Sequence, residues 1–392
     1  MQQVLTSRSK QTAIRVVRRH LLALTLVAGT TAFACAEEGR HAVGPDSSYL
    51  DKSGDDGPYV FLQSDSAAII LYMRDGVVNR QTVSYLDTLR FSDPGVTAVT
   101  NYAVPRTTPE VSAQVFDGVP RILTVSDVHG DFKSLVAILQ ESGVIDRDHH
   151  WIWGTGHLVV LGDVFDRGDK VNDCLWLIYR LEQESQHHGG MVHFVLGNHE
   201  VMVLRGDDRY VHETYQSGIV TATGLEYSEL YGPNTVMGRW LRSKHAALKI
   251  NAVLFVHGGI ARSWADRGWS LTQINDGIRT GIDEAASALA VDTLRQLLLG
   301  KHGPLWYRGY FQEMENAYPQ ASRDDVEFVL RYYEATTVVV GHTEVEQVSG
   351  LHESRIIAID VPVEELGGLQ ALLWENGRFN RIRKEGDSEP IE

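Results

Sequence analysis

The stretch HLVVLGDVFDRGD, His157–Asp169, decides how this chain folds. It starts as an apolar run and ends in Asp163, Asp166, Arg167 and Asp169. One charge after a strand marks a turn. Four charges spaced by glycines mark a site. The pattern recurs on both sides. RILTVSDVHGD (121–131) is an apolar strand ending in Asp127 and His129, and MVHFVLGNHE (191–200) is one ending in Asn198, His199 and Glu200. Between these strands lie two helical patterns. DFKSLVAILQESG closes at Gly143. KVNDCLWLIYRLEQESQ places Val171, Cys174, Leu175, Ile178 and Leu181 on one face, which makes Cys174 a core residue rather than a nucleophile. The series is βαβαβ and predicts a parallel sheet with right-handed crossovers.

Two later runs end the same way, AVLFVHGG (252–259) and TTVVVGHT (336–343). RIIAIDV (355–361) is a further strand. LQALLWENGRFNRIR (369–383) is a hairpin turning at Asn376-Gly377. Ligands of open α/β sheets bind at the carboxyl ends of strands. Five such ends gather Asp127, His129, Asp163, Asn198, His257 and His342. Their oxygens and imidazole nitrogens suit Mn, Fe, Zn or Co. The set is too rich for one ion with an open position. It fits two ions bridged by one carboxylate, roughly 3.5–4 Å apart. Each motif alone means little, and their ordered recurrence at strand ends carries the inference.

The series resembles the metallophosphoesterase fold and the phosphoprotein phosphatase superfamily, whose signatures are GDxHG, GDxxDRG, GNHE and HGG. Here they stand at Asp127–Gly130, with Ser126 in place of the leading glycine, and at Gly162–Gly168, Gly197–Glu200 and His257–Gly259. GDVFDRGD, LRGDDRYV, GPLWYRG and VVGHTEV are similar to segments of the Shewanella-like protein phosphatases. The resemblance implies an α/β fold, a calcineurin-like β-sandwich flanked by helices. It implies that Asp127, His129 and Asp163 hold one metal, and that Asp163, Asn198, His257 and His342 hold the second, with Asp163 bridging. A bridging hydroxide would attack phosphorus directly. Arg167 would clamp the phosphate, His199 would protonate the leaving oxygen and Asp166 would orient His199. Arg308, in GPLWYRG, is the expected second clamp, although an arginine beside Trp306 and Tyr307 also suits plain stacking. Asp169 and Glu200 read as capping or supporting groups, and Asp207, Asp208 and Arg209 as a solvated face or lid. Leu196 stands where eukaryotic phosphoserine/threonine enzymes carry arginine, and the SAPNYC segment is absent. These departures weigh against a phosphoserine/threonine preference, and the resemblance to the Shewanella-like branch implies a phosphoprotein substrate, phosphotyrosine in particular. A diadenosine-tetraphosphatase-like hydrolase, a broad phosphatase of small phosphate esters and a non-catalytic metal-binding lipoprotein remain as alternatives.

The chain has 392 residues, 43% hydrophobic and 22% charged, with a net charge of -15. That composition is globular, and the acidic balance argues against a nucleic-acid partner. Residues 1–34 contain no Asp or Glu, and carry Arg8, Lys10, Arg15, Arg18 and Arg19 ahead of LLALTLVAGTTAFA. This predicts a signal peptide and an exported protein, periplasmic or secreted. Cys35 directly after it leaves open a lipid anchor, and the twin arginine leaves open export in the folded state. Residues 35–57 read as a disordered linker and 58–120 as an N-terminal β-hairpin region turning at Asp75-Gly76. Residues 121–388 read as the catalytic domain, with inserts near 201–250 and 261–335 that build pocket walls.

Overall fold

The dipeptide Asp75-Gly76 turns one strand back on another. Both residues have positive φ, 46° and 74°, as a two-residue hairpin turn of the primed type requires. The strands it joins belong to a three-stranded antiparallel sheet, β1 (Asp56–Ser64), β2 (Ala67–Arg74) and β3 (Val77–Ser84). A two-stranded ribbon follows, β4 (Thr88–Ser92) and β5 (Asn101–Pro105). This computed structural model describes residues 55–92, 101–106, 109–285, 287, 292–311, 319–362, 368–383 and 386–391. The expected signal peptide, the lipid anchor at Cys35, the twin-arginine route and nearly all of the expected linker lie outside the described residues. The linker does not extend to residue 57, because β1 is already paired at Asp56.

Among the described residues, the remaining strands form two six-stranded sheets. Their strands, in chain order, are β6 (Val115–Phe116), β7 (Arg121–Val125), β8 (His157–Val160), β9 (Met191–Phe194), β10 (Ala247–Ile250), β11 (Val253–Val256), β12 (Thr337–Val340), β13 (Ser349–Leu351), β14 (Ile356–Ala358), β15 (Ala371–Glu375), β16 (Arg378–Ile382) and β17 (Ser388–Pro390). One sheet has the order β17-β16-β15-β7-β8-β9, the other β13-β14-β12-β11-β10-β6. β7, β8 and β9 are parallel, joined by helices α1 (Phe132–Glu141) and α2 (Val171–His187). That is the βαβαβ unit read from sequence. The closing hairpin turns at Asn376 and Gly377, both at positive φ.

Alternation along the strands builds the layers. Ile122, Val159 and Val195 pack between the sheets with Leu248, Phe255, Val339 and Ile357. Their neighbours Leu123, Leu158, Val160 and Phe194 pack in the other apolar cluster with Leu135, Ile138, Leu175 and Ile178 of α1 and α2. Strands covered on both faces are apolar at most positions, which is why these runs show no regular polar alternation; Thr124, His157 and His193 are buried polar exceptions.

The boundary drawn at Arg121 is not a structural one. β6 pairs with β10 in the second sheet, and the described residues belong to one compact unit. Trp176 Nε1 on α2 donates to the Pro58 carbonyl at 2.9 Å, and Leu62 N donates to Asn234 O at 2.8 Å. Tyr59 packs edge-on to Tyr231, which packs edge-on to Phe165 inside the DVFDRG loop. The insert near 201–250 is therefore partly core. Its first residues finish helix α3 (Asn198–Leu204), its last form β10, and its buried Tyr215, Tyr227 and Tyr231 stack in series, with Tyr231 meeting Tyr59 of the N-terminal sheet.

Candidate active site

Asp127, His129, Asp163, Asp166, Arg167 and His342 all have positive φ, between 46° and 71°. Residues with a Cβ seldom adopt this conformation, and they do so where surrounding structure enforces it. Here neighbouring strand tips hold each other. Asp127 N donates to Gly162 O (3.1 Å), His129 N to Asp163 O (2.9 Å), Gly130 N to Val164 O (2.9 Å) and Gly168 N to His129 O (2.9 Å). Two glycines allow the approach. A Cβ on Gly162 would sit 2.5 Å from Gly197 N, and one on Gly341 would collide with the Ser126 hydroxyl and Asp127 Oδ2.

Glu200 is the brace that sequence reading undervalued. Its fully buried carboxylate accepts from the backbone N–H of Asp163 (2.9 Å), Val164 (2.8 Å), Phe165 (3.3 Å) and Gly197 (2.7 Å). It thus ties the loop after β8 to the start of α3. A glutamate at the third position of a helix that opens straight from a strand was the available signal.

The six expected ligands meet at these tips, and all are buried or nearly so. His257 Nε2 lies 3.0 Å from Asn198 Oδ1 and 3.1 Å from Asp163 Oδ2, while its Nδ1 faces Leu161 O at 2.7 Å. His342 Nε2 is buried without a hydrogen-bond partner. His129 Nδ1 is engaged by Phe165 O at 2.8 Å, which leaves its Nε2 for a ligand. Candidate ligand atoms of Asp163, His257 and His342 lie within 4.8 Å of one another, as do those of His129, Asp163 and His199. The two groups share Asp163. The structure thus groups His199, expected as the acid, with His129 and Asp163. Asp127 stands beside them, its Oδ2 accepting from the Ser126 hydroxyl and from His342 N at 3.1 Å.

The charges make the same case. Burial pushes the carboxyls of Asp127, Glu200 and Asp360 up, and Asp163 adds its repulsion to each. Burial likewise drives His342 down to about 2, helped by the positive His257. Crowded buried carboxylates beside an orphaned, neutral imidazole nitrogen suit bound dications, which would bring the carboxyls back down and keep the imidazole unprotonated. Asp360, at the end of the IIAID run, was not singled out from the sequence, although it ends an apolar run as the expected ligands do.

His199 Nδ1 meets Asp166 Oδ2 at 2.6 Å, and its backbone N–H donates to Asp163 Oδ1 at 3.0 Å. Burial pulls the His199 imidazole down, but Asp166 and Asp163 more than offset this and raise its pKa. Arg167 is mostly exposed and reaches Glu344 at 3.8 Å. Arg308, half-buried, donates from Nη1 to Thr343 Oγ1 at 3.2 Å, next to His342. Both arginines therefore stand at the site. Tyr210, which sequence reading passed over, accepts from Arg167 N at 3.0 Å and lays its ring against His199. Asp169 is exposed.

The profile of the calcineurin-like phosphoesterase family matches residues 120–346, and the chain belongs to that family. The solved cold-active protein-tyrosine phosphatase of a psychrophilic Shewanella is 35% identical, with a TM-score of 0.80, covering 86% of this chain and 99% of that one. Shewanella-like protein phosphatase 1 of Plasmodium berghei is 28% identical over 57% of this chain and 61% of its own length. Shewanella-like protein phosphatase 2 of Arabidopsis thaliana is 29% identical over 41% of this chain and 38% of its own. The protein is a phosphatase of the metallophosphoesterase class, similar to the Shewanella-like branch.

Proposed function

We propose that this phosphatase is a dinuclear-metal phosphomonoesterase that removes phosphate from tyrosine side chains of proteins. One observation carries the reading: Asp163 is shared by two groups of candidate metal-binding side chains, His257 and His342 on one side and His129 and His199 on the other, and Asp166 engages His199 through Nδ1. The ligand chemistry suits Mn, Fe or Zn. A pair of such ions, when bound by Asp127, His129, Asp163, Asn198, His257 and His342, acidifies water and neutralises charge on phosphate oxygens.

The chain's own groups do the rest. Arg167 and Arg308 present guanidinium N–H donors to the phosphoryl oxygens, a geometry that planar forks match well. Asp166 holds His199 at Nδ1, so that the Nε2 proton points away from Asp166. As the ester P–O bond breaks and water oxygen bonds to phosphorus, that proton goes to the departing oxygen. The products are the free hydroxyl group and inorganic phosphate. Similarity to a solved protein-tyrosine phosphatase over most of the chain supports phosphotyrosine. The acid-free, arginine-bearing N-terminal segment supports export.

The test is turnover by the metal-loaded protein on a matched panel. It comprises a phosphotyrosine peptide, a phosphoserine peptide of the same sequence and diadenosine tetraphosphate. The expected result is highest kcat/KM on the phosphotyrosine peptide, with little nucleotide cleavage. Preferential nucleotide cleavage overturns the protein-phosphatase reading.

A further inference from the structure

The loop LRGDDRYV, Leu204–Val211, follows α3, and the chemistry above leaves most of it unused. It is not a loose lid. The Arg205 guanidinium donates to the carbonyls of Gly281, Ile282 and Glu284 on the second insert. Asp207 N closes onto Met202 O at 2.9 Å. Arg209 grips the Asp207 carboxylate with two N–H groups, at 2.8 and 2.7 Å, and Gln216 holds Asp208 at 2.8 Å. What this fixed loop presents to the site is Tyr210. Its carbonyl is taken by Arg167 N. Its ring centroid lies 5.4 Å from that of His199, inclined at 48°, and the residue is 50% exposed. A large ring pinned half in solvent against the proton donor gains little from burial.

We propose that Tyr210 is the aromatic wall of the leaving-group subsite and selects aryl over alkyl phosphate esters. The proposal rests on the assignment of His199 as the proton donor. The bridging oxygen of a bound ester must lie within hydrogen-bond reach of His199 Nε2. A phenyl ring carried by that oxygen then falls beside the half-exposed ring of Tyr210, which also has the Arg209 guanidinium 6.0 Å from its centroid. Offset or edge-to-face packing at centroid separations of about 4.5–7 Å is favourable for such pairs. A serine or threonine ester offers only a short alkyl stem there. The loop's anchors keep the wall in place before substrate arrives, which lowers the cost of ordering it.

The test uses Tyr210→Ala and Tyr210→Phe in the full metal-loaded protein. Inhibition constants are measured for phenylphosphonate, methylphosphonate and inorganic phosphate. In the parent, phenylphosphonate should bind more tightly than methylphosphonate. Tyr210→Ala should shrink that advantage by roughly 2- to 10-fold, and Tyr210→Phe should keep it. Inorganic phosphate, which has no ring, should bind the parent and both variants alike, showing that Arg167 has stayed in position. An advantage undiminished in Tyr210→Ala overturns the proposal, as does an equal loss for all three inhibitors. The phosphonates report the wall independently of peptide choice. A parent with no preference for phosphotyrosine peptide therefore sinks the substrate reading, while the phosphonate ratio still decides the role of Tyr210.

Discussion

At the scale of single residues, His199 is the most informative position. Its Nδ1 is committed to Asp166 at 2.6 Å, so its chemistry runs through Nε2. Nε2 lies 3.8 Å from Asp163 Oδ2, close enough to suit either proton donation or ligation. His199→Asn separates the two. As proton donor, its loss should leave metal content intact and slow alkyl phosphates by about 100-fold or more. Aryl phosphates should suffer less, because a phenol with pKa of about 10 leaves readily without a proton. Metal analysis alongside kinetics on both ester types is the check, and loss of metal would make His199 a ligand. The residues proposed as ligands were legible in the sequence because each follows an apolar strand and has small residues around it. Tyr210 was not legible, since nothing in DDRYV says that its ring returns to a histidine eleven residues earlier.

At the scale of elements, the site depends on strand ends meeting a helix start. Glu200 does this by accepting four backbone N–H groups, three on the loop after β8 and one at Gly197. Glu200→Gln places an amide NH₂ where only acceptors fit. The expected cost is about 2–3 kcal/mol of stability and about 10- to 100-fold in metal affinity. Urea unfolding and metal titration measure the two. A variant with parent stability would show the brace to be dispensable. The strands were readable as short apolar runs and the long helices by their period of 3.6, because both signals are local. The two-residue strand β6 was not, because it exists only through pairing with β10 more than a hundred residues later.

At the scale of the whole molecule, the join between the sheets carries a buried histidine pair. His193 Nε2 lies 2.9 Å from His157 Nδ1, and Phe116 of the second sheet covers both rings. Burial lowers His157 to about 4. Burial, then His157, Lys244 and His245, lower His193 to about 3. Both values lie below the ordinary 6.5, so the unfolded chain binds more protons than the folded one. The stability these groups provide is complete above pH 6.5 and is lost as pH falls toward 4 and 3. The slope is at most about 1.4 kcal/mol per pH unit for each histidine. His193→Gln should flatten it, which urea unfolding of parent and variant between pH 7 and 4.5 would show. An unchanged slope would mean that the pair is solvated. The N-terminal sheet belongs to this scale as well. Its hairpin was readable at Asp75-Gly76, but its place was not, because Tyr59 meets Tyr231 only after the chain has folded back.

The left-handed backbone at six site positions bears on any attempt to transplant this chemistry. A designer who copies Asp127, His129, Asp163, Asp166, Arg167 and His342 onto another sandwich in ordinary extended conformation copies an inventory without its coordinates. The transferable unit is the set of turns with its cross-bracing, and a scaffold search should screen for backbone handedness before it screens for side chains.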